Sequence, residues 1–268
     1  MWRSWFWKWG LGLLLVGLIA ASAQARSARP SPADNPEEPP FRIRSVWILG
    51  DSLTLGVYAS SQETTFRNAL FHDLQSISRP WSMRITLWES VCTLGGLEEE
   101  WDDLPGEPTL LFIEVGINDI LGNENCPLVP EAQWRQRYGA MLDRIQQDAP
   151  GVEIIVGSIP WSNWPEGSDR YRKALQYNQW IAEEAQARAI PVADLWSATL
   201  GRKDGISTPD QPSMFPPYHG DNFHPNDVGH RRIANTFFQT YLRKYQRLYT
   251  PFQLSSATKE NLNGLSTR

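Results

Sequence analysis

The stretch VWILGDSLTLG, from Val46 to Gly56, changes abruptly from apolar residues to small and polar ones. Its apolar half, which ends at Gly50, predicts a fully buried strand, and the glycine marks the point where the chain turns. Ser52 therefore follows a strand directly, at the sheet edge where open α/β folds bind their ligands. That position suits a nucleophile. It suits a helix N-cap equally well, because Ser and Asp both accept hydrogen bonds from free helix amides.

Apolar runs alternate with helical patterns along the rest of the chain. The predicted strands are 45–49, 84–88, 109–115, 152–156 and 190–195, and the predicted helices are 65–75, 96–101, 130–147, 169–188 and 226–247. Because strand and helix alternate, the pattern predicts an α/β protein with a parallel sheet covered on both faces, a three-layer α/β/α sandwich. The loop after each strand would then reach the edge on which Ser52 lies.

The N-terminal segment differs from the rest of the chain in composition. It carries Arg3 and Lys8 without an acid, continues with an apolar run, and ends in an Ala-x-Ala sequence at Ala25. This layout is typical of a secretory signal peptide over 1–25, and an uncleaved membrane anchor is the alternative. Both interpretations predict an exported protein, either periplasmic or extracellular.

Charge and composition set the limits of the folded part. Without 1–25 the net charge of −5 becomes −7, and an acidic protein without a long basic run binds nucleic acid poorly. Residues 26–40 are rich in Pro and acids and predict a linker, whereas 250–268 lacks a sustained apolar period and predicts a flexible tail. The folded domain is therefore expected over 41–249. We expect it to be a monomer without membrane contact once the signal peptide is removed.

Small and polar residues suited to catalysis follow the other predicted strands. They are Gly95 and Gly96 after the second strand, Asn118 after the third, and Asp221 and His224 before the last helix. An aspartate three residues before a histidine can bind one ring nitrogen and fix the tautomer that a general base needs. An Asx-type turn beside an exposed histidine is the alternative. An asparagine amide and a glycine N–H are the donors that an oxyanion hole uses.

The histidines do not require a metal. His219 lies close enough in sequence to Asp221 and His224 to imitate a metal cluster, while His72 and His230 fall within helical patterns and are predicted to be packing or surface residues. Acyl transfer through a serine needs neither a metal nor an organic cofactor, so we expect neither.

Four motifs occur in the order of a known family. They are Gly50-Asp51-Ser52-Leu53, a glycine after the second strand, Gly116-Ile117-Asn118-Asp119, and Asp221-Asn222-Phe223-His224-Pro225. With these motifs the chain resembles the GDSL esterases, also called SGNH hydrolases, over most of 44–245. The resemblance implies a flavodoxin-like fold with a five-stranded parallel sheet in the order 2-1-3-4-5.

The same resemblance implies a role for each motif. Ser52 would be the nucleophile, His224 the base and Asp221 the residue that orients the base. The oxyanion hole would consist of the Ser52 backbone, one loop glycine and the Asn118 side chain. The segment 89–96 departs from the family, which commonly has an asparagine a few residues before its glycine. Gly95 fits the spacing slightly better than Gly96.

Tryptophan is the residue type that bears most on the substrate. Trp161, Trp164 and Trp196 follow the fourth and fifth strands, where they would form a platform for sugar rings, an apolar acyl pocket or core packing. Short-chain esters are the predicted substrates, with O-acetyl groups on carbohydrate as a natural source given export. An acyltransferase with the same residues and a non-catalytic glycan-binding module are the alternatives.

Cys92 and Cys126 are the two cysteines of the chain, and they follow the second and third strands. In the implied strand order these strands flank the first, so their loops would lie on either side of Ser52. An exported protein with an even number of cysteines is able to form a disulfide, and two reduced, buried thiols are the alternative.

Overall fold

The computed structural model describes residues 45–77, 84–88, 92–103, 108–211, 214 and 220–249. The predicted signal peptide (1–25), linker (26–40) and tail (250–268) lie outside the described residues, as do the start of the predicted domain and His219.

Five parallel strands form one sheet. They are β1 (Ser45–Gly50), β2 (Arg84–Trp88), β3 (Leu110–Glu114), β4 (Glu153–Gly157) and β5 (Val192–Ala193). Their order across the sheet is β2-β1-β3-β4-β5, which confirms the expected fold class and topology. Gly50 of β1 lies opposite Glu114 of β3, so the loops that follow these two strands begin side by side.

Helices follow the strands within the described ranges. They are α1 (Ser52–Leu55), α2 (Phe66–Ile77), α3 (Leu94–Glu100), α4 (Ile117–Leu121), α5 (Glu131–Asp148), α6 (Asp169–Ala187), α7 (Leu195–Thr199) and α8 (Asp227–Tyr249). No helix in this part of the chain combines the length and the apolar character that crossing a bilayer requires.

The helices cover the sheet in two layers. Helix α2 packs against α8, and α5 packs against α3 and α6. Phe112 of β3 contacts Phe237 of α8 with ring centroids 5.3 Å apart. In the other layer Trp134 of α5 is completely buried and lies 4.9 Å from the ring of Tyr138 and 4.6 Å from that of Tyr177. Burial of such large apolar surfaces on both faces is the main source of stability for a parallel sheet.

The fifth strand is shorter than the predicted 190–195. The side chain of Asp194 accepts a hydrogen bond from the Ser197 N–H at 3.0 Å, and α7 therefore begins at Leu195. A capping aspartate ends the strand early because it satisfies a free amide of the next helix.

Candidate active site

The sequence left open whether Ser52 is a nucleophile or a helix N-cap, and the turn after β1 assigns the cap to Asp51. Asp51 is the N-cap of α1, and its Oδ1 accepts from the Leu53 N–H at 3.0 Å. A Cβ on Gly50 would collide with the Thr54 hydroxyl and lie 2.7 Å from the Glu114 carbonyl oxygen, so glycine is required there. Because Asp51 supplies the cap, the hydroxyl of Ser52 remains available for another partner.

That partner is His224. The Oγ of Ser52 lies 2.9 Å from Nε2 of His224, and Nδ1 of the same ring lies 2.6 Å from Oδ2 of Asp221. The second carboxylate oxygen, Oδ1, accepts from the backbone N–H groups of Phe223 and His224, both at 2.9 Å. Asn222 has a φ of 60°, in the left-handed region that asparagine tolerates, and this turn directs the carboxylate back toward the imidazole.

The charge of Asp221 fixes the direction of these hydrogen bonds. Partial burial raises its pKa, but the hydrogen bonds from the side chain and backbone of His224 and from the Phe223 N–H outweigh burial and lower the pKa to about 2. An ionised carboxylate only accepts, so Nδ1 of His224 carries the ring proton. In the neutral imidazole Nε2 is then the acceptor for the Ser52 hydroxyl, which is the tautomer that a general base requires.

The loop after β2 distinguishes Gly95 from Gly96. The N–H of Gly96 donates to Oγ1 of Thr93, the N-cap of α3, at 3.1 Å. No acceptor within the described residues takes the N–H of Gly95. A Cβ on Gly95 would lie 2.5 Å from the carbonyl oxygen of Pro127, so this position also demands glycine for packing. Of the two amides, that of Gly95 is the one free to bind a ligand.

Asn118 is linked to the same loop through Cys92. Its Nδ2 carries two hydrogens. One is donated to the Cys92 carbonyl oxygen at 2.9 Å, and the other takes no part in that bond. Cys92 and Cys126 form a disulfide with Cα atoms 6.1 Å apart. The bridge therefore joins the loops after β2 and β3 beside the side chain of Asn118.

The three tryptophans considered for sugar binding are all buried: Trp161, Trp164 and Trp196 expose 7, 5 and 8% of their surfaces. The Nε1 of Trp161 donates to the carbonyl oxygen of Trp164 at 3.1 Å, and the ring of Trp196 packs on Tyr171. Rings that contact protein on nearly all sides leave no face for a sugar, so the structure places these residues in the core.

A buried glutamate at the site was missed by the sequence reasoning. Glu114, the last residue of β3, is 1% exposed, and its carboxyl oxygens have no hydrogen-bond partner within the described residues. Burial and then the negative charge of Asp51 hold the pKa of Glu114 well above its usual range. Burial likewise raises the pKa of Asp51 to about 7, against the hydrogen bond from Leu53. The available signal was a glutamate at the end of the otherwise apolar run LLFIE.

We expect Glu114→Gln to weaken the loss of stability with rising pH. Because the folded chain holds the proton of Glu114 above the ordinary pKa of 4.5, the unfolded chain releases it first as the pH rises. The contribution of Glu114 to the unfolding free energy is therefore fully present below pH 4.5 and decreases as the pH rises above it. Glutamine has no proton to lose and makes no such pH-dependent contribution. Between pH 5 and 8 the unfolding free energy of the variant should therefore fall less steeply with pH than that of the wild type.

Urea unfolding at several pH values measures this difference. The two proteins are compared by the slope of their unfolding free energy against pH. A packing cost of the amide that is the same at every pH does not change this slope. Parallel slopes for the two proteins between pH 5 and 8 would contradict a protonated Glu114.

Comparison with known proteins identifies the family of the chain. Residues 48–232 match the model of the GDSL-like lipase/acylhydrolase family. No curated protein matches the chain significantly in sequence.

Solved structures share the fold. The acetylxylan esterase Axe2 from Geobacillus stearothermophilus is 17% identical, with a TM-score of 0.59 over 76% of this chain and 96% of that one. LAE5, an alpha/beta hydrolase enzyme from the metagenome of Lake Arreo, Spain, is 19% identical, with a TM-score of 0.58 over 75% of this chain and 95% of that one. A member of the lipolytic G-D-S-L family from Veillonella parvula is 18% identical, with a TM-score of 0.55 over 75% and 99%. The family match covers most of the described domain, and the chain therefore belongs to the GDSL-like lipase/acylhydrolase family of ester hydrolases.

Proposed function

We propose that the protein is an exported serine esterase that removes short acyl groups, acetyl above all, from carbohydrate. The observation that carries the proposal is the continuous chain of hydrogen bonds from Ser52 through His224 to Asp221, with distances of 2.9 and 2.6 Å. A nucleophile, a base and a carboxylate that orients the base, joined in this order, are the groups that nucleophilic catalysis by serine needs.

The reaction follows from this geometry. The Oγ of Ser52 attacks the ester carbonyl carbon while Nε2 of His224 takes the hydroxyl proton, and Asp221 stabilises the imidazolium that forms. The imidazolium then protonates the leaving alcohol oxygen, and the carbon–oxygen bond of the ester breaks to give an acyl-serine. Water attacks this intermediate with His224 again as base, which releases the acid and restores Ser52.

We assign the oxyanion hole to three donors. They are the backbone N–H of Ser52, the backbone N–H of Gly95 and the side-chain amide of Asn118. The hydrogen bond from Asn118 to the Cys92 carbonyl oxygen fixes the plane of the amide before substrate binds. Donors fixed in advance stabilise the developing charge without reorganisation, which is usually the largest single contribution to catalysis.

Two observations favour a small acyl group on a sugar. The related fold of Axe2 belongs to an acetylxylan esterase, and its catalytic mutants replace a serine, an aspartate and a histidine, the last two spaced as Asp221 and His224 are. The tryptophans that follow β4 and β5 fill the core instead of lining a long acyl groove. A sugar would therefore contact the outer rim of the site.

Export is proposed from the N-terminal segment and the disulfide together. Residues 1–25 have the layout of a signal peptide, and the Cys92–Cys126 bridge suits an oxidising compartment. An acetyl ester on an extracellular or cell-wall polysaccharide is a substrate that an exported enzyme would meet.

The test is hydrolysis by the purified mature protein of chromogenic acetate and octanoate esters and of acetylated xylooligosaccharides. We expect kcat/KM for the acetate to exceed that for the octanoate at least tenfold, and free acetate to appear from the oligosaccharide. Enzyme inactivated with a serine-directed organophosphonate is the control. Faster cleavage of the octanoate would contradict the acyl preference, and transfer of acetyl to an added sugar in place of water would identify an acyltransferase.

A further inference from the structure

A tight turn follows the helix that carries Ser52. The N–H of Ala59 donates to the carbonyl oxygen of Gly56 at 3.0 Å, which closes a four-residue turn over Gly56 to Ala59. Tyr58 occupies the third position of this turn with a φ of 67°. A positive φ at that position favours glycine or asparagine, because a larger side chain meets the backbone there. The turn alone would therefore not select tyrosine.

The neighbouring backbone holds Tyr58 in this conformation from both sides. The N–H of Val57 donates to the carbonyl oxygen of Ser52 at 3.0 Å. On the other side the N–H and hydroxyl of Ser60 donate to the carboxylate of Asp227 at 2.8 and 2.6 Å. Asp227 is the first residue of α8, three positions after His224. Hydrogen bonds thus join the turn to the backbone of Ser52 on one side and to the start of α8, just after His224, on the other.

The ring held in place by this turn lies against the imidazole of His224. The centroids of Tyr58 and His224 are 5.2 Å apart with an interplanar angle of 57°. Phe223 contacts the same imidazole at 4.9 Å with an angle of 78°. Two aromatic neighbours restrict rotation of the imidazole, and the electron-rich face of a ring attracts a cation. In the proposed reaction His224 becomes cationic when it takes the proton of the nucleophile, so this attraction grows along the reaction.

We propose that Tyr58 is a positioning residue that holds the imidazole of His224 toward Ser52 and stabilises its cationic form. The strained backbone is retained because no residue preferred by the turn provides a ring. This inference rests on the proposed function of His224 as the base. Backbone strain of this kind concentrates at functional sites. A substitution that relieves it is therefore expected to preserve or raise stability while it lowers activity.

Two substitutions separate the ring from the turn. Tyr58→Asn suits the positive φ but removes the ring, so we expect an unchanged or higher Tm, a kcat about tenfold lower and a KM within about twofold of wild type. Tyr58→Phe keeps the ring and should retain kcat within about twofold. A Tyr58→Asn variant with wild-type kcat, or with a Tm several degrees lower, would overturn the inference. So would an equal loss of kcat in Tyr58→Phe, because the hydroxyl and not the ring would then matter.

A second measurement does not depend on ester hydrolysis. The proton on Nδ1 of His224, shared with Asp221, gives a low-field NMR signal that is assigned by its loss in His224→Gln. We expect this signal to be sharp in the wild type and in Tyr58→Phe and broadened by exchange with water in Tyr58→Asn. Equal sharpness in all three would overturn the inference. If the signal broadens in Tyr58→Asn as expected but the wild type hydrolyses no ester, the proposed function is wrong and the inference about Tyr58 stands.

Discussion

Ser52→Ala should lower kcat for ester hydrolysis by about 10⁴- to 10⁶-fold, which leaves no activity above background in an ordinary assay. The substitution removes one oxygen atom, the only atom of that side chain that can form the acyl-enzyme. His224 and Asp221 would retain their mutual hydrogen bond of 2.6 Å but would have no hydroxyl to deprotonate. Since Asp51 and not Ser52 supplies the cap of α1, the fold and Tm should change little.

The matched control is Ser197→Ala, an exposed serine on α7 after another strand of the same sheet. It should retain full activity. A serine-directed organophosphonate should label the wild type and Ser197→Ala once and leave Ser52→Ala unlabelled, as mass spectrometry of the intact proteins would measure. Activity within tenfold of wild type in Ser52→Ala would rule out the proposed nucleophile.

The long helices could be predicted from the sequence because their apolar faces repeat over several turns. Helix α6 was expected over 169–188 and runs from Asp169 to Ala187. Ser168 caps its N-terminus by accepting a hydrogen bond from the Tyr171 N–H. The parallel sheet followed from the alternation of such helices with apolar runs. Helices of four or five residues show no such period, and α1, α4 and α7 were not predicted. Single aspartate caps, Asp51 and Asp194, mark the starts of α1 and α7, whereas α4 begins after Gly116 without a side-chain cap.

The neighbourhood of the site could be predicted, but its contacts could not. Ser52 and His224 are 172 residues apart, and parallel topology brings both to one sheet edge without fixing the distance between them. The burial of Trp161, Trp164 and Trp196 depends on packing between loops, which a residue type does not reveal.

The hydrogen bond from Asn118 to Cys92 could not be predicted either, because it joins a side chain to a backbone carbonyl oxygen 26 residues away. A sequence pattern reports side-chain types, and this contact depends on the direction of a backbone oxygen. It is also the contact that makes the role of Asn118 open to a sharp test.

Asn118→Ala should lower kcat for ester hydrolysis by about 10²- to 10³-fold, the usual effect of removing one oxyanion donor. The side chain is buried in α4, the short helix that follows β3, and one of its two amide hydrogens already binds the Cys92 carbonyl oxygen. The substrate in its ground state gains little from the other hydrogen, because the ester carbonyl oxygen carries only a partial charge. The KM should therefore stay within a fewfold of wild type while kcat falls.

Asn118→Asp provides the sharper comparison, because aspartate has the shape of asparagine but no N–H donor. A carboxylate beside the developing oxyanion would repel it, so kcat should fall at least as far as in Asn118→Ala. Asn125→Ala, an exposed asparagine in the following loop, is the matched control and should retain wild-type kcat. If Asn118 served only to hold the loop of Cys92, both substitutions would lower Tm and change kcat less than tenfold. Steady-state kinetics with the acetate ester and a thermal melt of each variant distinguish the two roles, and the second pattern would exclude Asn118 from the oxyanion hole.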